Sequence, residues 1–134
     1  MKKLIVISLI LLLLTTFRFP IFAEESKQPT TVYVFNIGIK VSSDVPLYAN
    51  GLFITVLKPK TYNTFTIDSN KLRLSSYFFI HSGFTMFREQ QFSVQSGGKK
   101  YFTCKIYASN TFEEINEEQA EAFLKEFSVS VPTK

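Results

Sequence analysis

Apolar and polar residues alternate with a period of two along most of this chain, and a helical period appears only near the C-terminus. The clearest alternation covers residues 31–41. Tyr33, Phe35, Ile37, Ile39 and Val41 fall on one parity, and Val32, Val34, Asn36, Gly38 and Lys40 on the other. β-Branched and aromatic residues in that pattern predict a half-buried strand. Pro46 assigns its neighbourhood to a sheet edge or the start of a strand, because proline lacks the backbone N–H that a central strand needs. Asn50-Gly51 predicts a tight type I′ hairpin turn, since both residues tolerate positive φ. The hairpin pairs residues 47–49 with residues 52–57, with Leu52, Ile54 and Val56 sharing one face.

Lys58-Pro59-Lys60 breaks the run, and residues 62–68 restart it with Phe65 and Ile67 on one side. A further strand covers residues 72–80, and the chain turns near His81-Ser82-Gly83. Residues 84–95 are less regular; Phe92 and Val94 read as inward and the run Arg88-Glu89-Gln90-Gln91 as solvated. Ser96-Gly97-Gly98 is a turn signal. Residues 99–108 make a second clear strand, with Phe102, Cys104 and Ile106 inward and Tyr101, Thr103, Lys105 and Tyr107 outward.

The period then changes. Ala120, Phe123, Leu124 and Phe127 form an apolar stripe at helical spacing. Asn116 and Gln119 are placed for a capping box, Ile115 for a hydrophobic staple onto Ala120, and Glu117 and Glu118 for the positive end of the helix dipole. The helix ends near Phe127; residues 128–134, with Pro132, form a tail or a short edge strand. Six to eight short strands punctuated by turns predict a mainly β fold: an antiparallel β-sandwich or partly open barrel carrying one C-terminal amphipathic helix.

The N-terminus reads differently. Lys2 and Lys3 precede an apolar run over residues 4–14, and Ile21-Phe22-Ala23 resembles a signal-peptidase site. Arg18 and Pro20 interrupt the apolar stretch before it reaches the length of a membrane span. The expectation is a secretory signal over residues 1–23 cut between Ala23 and Glu24, a disordered lead-in over residues 24–30, and one domain over residues 31–127. The processed protein is then periplasmic or secreted, without stable membrane insertion. No cysteine lies near the cut that could carry a lipid. The signal also holds Lys2, Lys3 and Arg18 and no acid, so the net charge of +4 belongs mostly to it. Net charge therefore gives no support to nucleic-acid binding.

Candidate chemistry is sparse. Cys104 is the only cysteine, which rules out an intrachain disulfide, and His81 the only histidine. No pattern implies a metal or an organic cofactor, and Gly97-Gly98 lacks the following helix that a phosphate-binding loop requires. Asp44 and Asp68 sit in turn sequences, and the glutamates cluster on the helix. The outward residues Tyr101, Thr103, Lys105 and Tyr107 form a candidate ligand face; an ordinary cross-strand ladder, or burial beneath the helix, is the plain structural reading of the same residues.

Four stretches resemble a family of uncharacterised bacterial exported domains, the domain-of-unknown-function family 2846. They are the opening strand at residues 31–35, the hairpin at residues 46–51, Gly98-Lys99-Lys100-Tyr101-Phe102, and the segment from Phe112 to Leu124, which is similar to that family's closing acidic helix. Asp68-Ser69-Asn70-Lys71 departs from the family's Pro-Gly turn, and Ala23 from its frequent lipid-attachment cysteine. The resemblance implies a β-sandwich-like envelope domain with no assigned catalytic residue. Three readings follow: a non-enzymatic module that binds an envelope protein or a glycan, a hydrolase using His81 with Cys104 or a serine, and a small-molecule or lipid carrier.

Overall fold

A computed structural model describes residues 28–39, 44–79, 83, 85–106 and 110–130. The signal segment with its Ala23 and Glu24 junction lies outside them, as do His81 and Tyr107. Nine strands and one helix follow in order: β1 (Thr30–Asn36), β2 (Val45–Ala49), β3 (Leu52–Leu57), β4 (Thr61–Ile67), β5 (Lys71–Phe79), β6 (Thr85–Ser93), β7 (Lys99–Cys104), β8 (Phe112–Ile115), α1 (Glu117–Glu126) and β9 (Ser128–Val129). They form two sheets. Sheet A runs β8-β7-β1-β4-β9 and sheet B runs β3-β2-β5-β6. Sheet B is antiparallel throughout; sheet A is mixed, with β1 parallel to β7 and β4 parallel to β9. The architecture is the mainly β, sandwich-like one that the alternation predicts, with no closed barrel.

The space between the sheets is filled by Val32, Val34, Val45, Leu47, Leu57, Leu72, Leu74, Phe102 and Phe112, with Cys104 among them. Phe102, Cys104 and Ile106 all face this core, as do Phe65, Ile67, Phe92 and Val94. A second apolar layer lies on the far side of sheet A. There α1 sets Ala120, Phe123, Leu124 and Phe127 over Tyr33, Phe35, Tyr62 and Tyr101. The molecule therefore has three layers: helix, sheet A and sheet B.

That second layer corrects the expectation for β1. The strand is buried on both parities, with Val32, Val34 and Phe35 all fully buried, because sheet B covers one face and α1 the other. The strand is also shorter than the alternation suggests and ends at Asn36. There the buried side-chain amide donates from Nδ2 to the Leu57 carbonyl at 2.8 Å, while Oδ1 accepts the Gly38 N–H at 2.9 Å. Part of the expected lead-in is ordered as well. Thr30 begins β1 and donates to the Gln95 carbonyl at 2.8 Å, and the Gln28 carbonyl accepts from Gly97 N–H and from Ser96 Oγ.

The Asn50-Gly51 hairpin forms with φ of 49° and 81°, both in the left-handed region. A bulge between Leu47 and Tyr48 shifts its register, so that Leu52 opposes Ala49 and Val56 opposes Pro46. Leu52 and Val56 thereby fall on opposite faces instead of sharing one, because a bulge inverts parity on one side of itself. Pro46 lies at the start of a strand, second in β2, although that strand is an inner one of sheet B and not an edge. It is tolerated because β2 pairs with β5 only at Tyr48 and Ala49. Residues 85–93 are a regular nine-residue strand, β6.

The segment beginning at Phe112 is not helical. Residues 112–115 pair antiparallel with β7 as β8, and the helix starts only after Asn116. Both halves of the predicted capping box are present: Asn116 Oδ1 accepts Gln119 N–H at 2.8 Å, and Gln119 Oε1 accepts Asn116 N–H at 3.2 Å. Phe127 ends the helix in extended conformation, and the chain continues into β9.

Side chains stitch the two seams of the sandwich. On one side Gln90 of β6 donates from Nε2 to the Phe112 carbonyl and accepts Phe112 N–H at Oε1, both at 2.7 Å. Gln90 thus substitutes for a strand partner at the edge of β8, a role that reading residues 88–91 as solvated does not capture. On the other side the Thr55 and Ser130 hydroxyls meet at 3.1 Å, tying β3 to the chain just after β9.

Candidate functional site

The outward residues of β7 do not make an open ligand face. Tyr101 and Thr103 are buried, at 8% and 5% exposure; Tyr101 packs beneath α1 with Ala120, and Thr103 sits between Phe35 and Glu113 of the neighbouring strands. Lys105 is exposed and follows the end of the strand. The plain alternative of burial beneath the helix describes Tyr101, that of a cross-strand ladder describes Thr103, and these residues are not a continuous Tyr/Thr/Lys surface.

Tyr101 nevertheless reaches a surface opening. A groove of about 520 Å³ is lined by Gly98, Lys99, Lys100, Tyr101, Glu114, Ile115, Asn116 and Glu117. It lies where β7, β8 and the start of α1 converge. Lys100 Nζ and Glu114 Oε1 form an ion pair at 2.9 Å across the two strands. The Tyr101 ring packs on Tyr33 with centroids 5.0 Å apart. Its phenol is raised above the ordinary value, first by burial, then by the charges of Glu117, of Tyr33 when ionised, and of Glu121. The hydroxyl therefore stays protonated, and so able to donate, throughout the neutral range.

Cys104 is fully buried in the inter-sheet core. Burial in apolar surroundings pushes its thiol far up, so the thiolate that nucleophilic chemistry needs is suppressed. Among the described residues, no group of three or more His, Cys, Asp and Glu side chains is arranged to hold a metal ion.

The most distinctive surface lies on the opposite side of the molecule, on the outer face of sheet B. Tyr48 and Phe53 are paired across β2 and β3, and their rings meet edge to face at 5.4 Å. Tyr48 meets Tyr77 of β5 at 5.3 Å, and Tyr77 meets Phe87 of β6 at 4.8 Å. The four rings form one diagonal stripe that crosses every strand of the sheet. Phe53, Tyr77 and Phe87 are 56%, 43% and 47% exposed, high values for large apolar side chains on an ordered sheet. Arg73 and Glu89, both exposed, stand on the same face as the stripe, opposite Gln91 and Ser75 in the β5–β6 ladder.

Sequence reasoning missed the stripe because its members sit in four different strands, and only register brings them together. One signal was present: Tyr77 has the parity opposite to Leu72, Leu74 and Phe78, which face the core. An aromatic residue on the outward parity of an inner strand needs either a cover or a partner.

Comparison with protein-family models, curated proteins and solved structures finds no match to this chain. The resemblance to the exported family of unknown function gains no support from it.

Proposed function

We propose that this chain is a non-enzymatic envelope protein, exported by its N-terminal signal, whose sandwich binds another envelope protein through the outer face of sheet B. The four-ring stripe carries the reading. Contiguous aromatic side chains with a polar margin are what buried interface anchors look like when the partner is absent. The relief of the stripe favours a protein over a sugar on this face. Successive rings are inclined at 66°, 78° and 38°, so they share no plane on which a pyranose ring could lie flat.

The hydrolase reading is weakened by Cys104, whose thiol is enclosed between the sheets. The carrier reading calls for an apolar cavity, whereas the groove beside α1 has a charged rim. No helix among the described residues is long and apolar enough to cross a membrane, which says nothing of spans made from strands.

Two measurements test the proposal. N-terminal sequencing of the protein recovered from the producing cell is expected to begin at Glu24; an intact Met1 would remove the export half. A photo-reactive amino acid at position 77 is expected to give one dominant covalent adduct in intact cells, absent when it is placed at the exposed helix position Glu118. Substituting Phe53→Ser and Phe87→Ser beside the probe is expected to abolish the adduct. Equal labelling at both positions, or an adduct indifferent to the two substitutions, would remove the binding half.

A further inference from the structure

The groove beside α1 differs in chemistry from the aromatic stripe. Four of its lining residues are charged, two lysines (Lys99 and Lys100) and two glutamates (Glu114 and Glu117), so the lining carries no net charge. Lys100 and Glu114 are paired with each other, which leaves Lys99 as a donor on one side and Glu117 as an acceptor on the other. Tyr101 lines the same groove. The residue is 8% exposed, and its hydroxyl is not sealed from solvent. An open hydroxyl on a side chain fixed by packing is placed to bond a ligand in the groove. Ile115 adds an apolar patch to the same lining. Asn116, by contrast, is occupied by the helix cap.

We propose that the groove between β7, β8 and the start of α1 binds a neutral saccharide, with the Tyr101 hydroxyl, Lys99 and Glu117 bonding its hydroxyl groups and Ile115 meeting its C–H surface. A charge-balanced site gives no field to attract an ion. It offers donors and acceptors interleaved at short range, which matches the alternating capacity of sugar hydroxyls. The volume, about 520 Å³, lies within the range of roughly 300–1,000 Å³ usual for small-ligand clefts and accommodates a short oligosaccharide. Tyr101 remains protonated at neutral pH and so can donate as well as accept. This site is separate from the protein-binding face of sheet B, and either can fail without the other.

The test is a ¹⁵N–¹H correlation titration of the purified protein with three neutral probes: cellotetraose, maltotetraose and the tetramer of N-acetylglucosamine. At least one is expected to shift the amides of residues 98–101 and 114–117 with millimolar affinity, leaving those of residues 48, 53, 77 and 87 unmoved. Tyr101→Phe keeps the ring on Tyr33 and deletes only the oxygen. It is expected to weaken binding about tenfold, the worth of one hydrogen bond, at an unchanged melting temperature. Glu117→Gln is expected to weaken binding, and Glu118→Gln to leave it alone. The proposal is overturned if none of the three sugars moves these amides at millimolar concentration. It is equally overturned if Tyr101→Phe titrates like the parent, or if n-butylamine or acetate occupies the groove more tightly than any of the sugars.

Discussion

The two sheets carry aromatic residues on their outer faces and treat them in opposite ways. On sheet A, Tyr33, Phe35, Tyr62 and Tyr101 are roofed by Phe123, Leu124 and Phe127 of the helix, and Phe35 is fully buried. On sheet B, Tyr48, Phe53, Tyr77 and Phe87 have no roof among the described residues. The residue types are nearly the same, so composition does not decide which face is core and which is surface. Topology does. The helix is joined directly to β8 and β9, the two edge strands of sheet A, and its ten residues have no route across the sandwich. The difference suggests a division of labour: the roofed aromatics contribute stability, and the bare ones are available for recognition.

Substitution can break that comparison. Phe35 contacts Tyr62, Phe123 and Phe127 at centroid distances of 5.3, 5.5 and 6.0 Å. Phe35→Ala is expected to cost about 3–5 kcal/mol in urea unfolding, the usual price of deleting a fully buried ring. Tyr77→Ala, at the centre of the bare stripe, is expected to cost less than about 1 kcal/mol. Equal losses at the two positions would refute the division.

The inter-sheet core offers a control that involves neither aromatic face. The Cys104 thiol is pushed up by burial, so the folded state holds a proton that the unfolded chain releases near its ordinary value of 9.0. Stability is therefore complete below pH 9 and falls as pH rises beyond it, by up to about 1.4 kcal/mol for each unit. Cys104→Ala is expected to lower stability at neutral pH and to flatten this alkaline slope; chemical denaturation at pH 8 and pH 10 measures both. A parent slope no steeper than that of the variant would show that the thiol ionises within the fold.

A smaller effect tests the roof alone. Asn116→Ala removes the helix cap and is expected to cost about 1 kcal/mol. The loss should appear as faster hydrogen exchange in α1, with sheet B unchanged. The smallest effect belongs to the stripe: Phe53→Ser and Phe87→Ser are each expected to shift the unfolding free energy by no more than about 0.5 kcal/mol. A much larger loss would make these rings part of the fold.

Much of this architecture was legible in local signals. Asn50-Gly51 specified a hairpin, Asn116 and Gln119 specified a helix start, and the alternation of Phe102, Cys104 and Ile106 specified an inward face. What was not legible depends on pairing between distant strands. The burial of Phe35 requires knowing that α1 returns over β1. The split of Leu52 from Val56 requires a bulge that no residue type announces. The β-strand character of residues 112–115 comes from β7, since Glu113 and Glu114 by themselves suit a helix start as well as an edge strand. The stripe was hardest to see, because its four rings are adjacent only after four strands align.

The position of β1 has a consequence for how the chain matures. It is the first strand made and the middle strand of sheet A, yet its parallel neighbour β7 begins only at Lys99. A polypeptide that emerges N-terminus first can pair this ribbon with β4 once residue 67 is out, but its other edge and the face under α1 stay open until β7 and the helix follow. Meanwhile the β2–β3 and β5–β6 hairpins can close on their own, as each needs only adjacent sequence. Assembly of the second layer is thus deferred until nearly the whole chain is present, and the early ribbon is the segment most in need of a chaperone's grip.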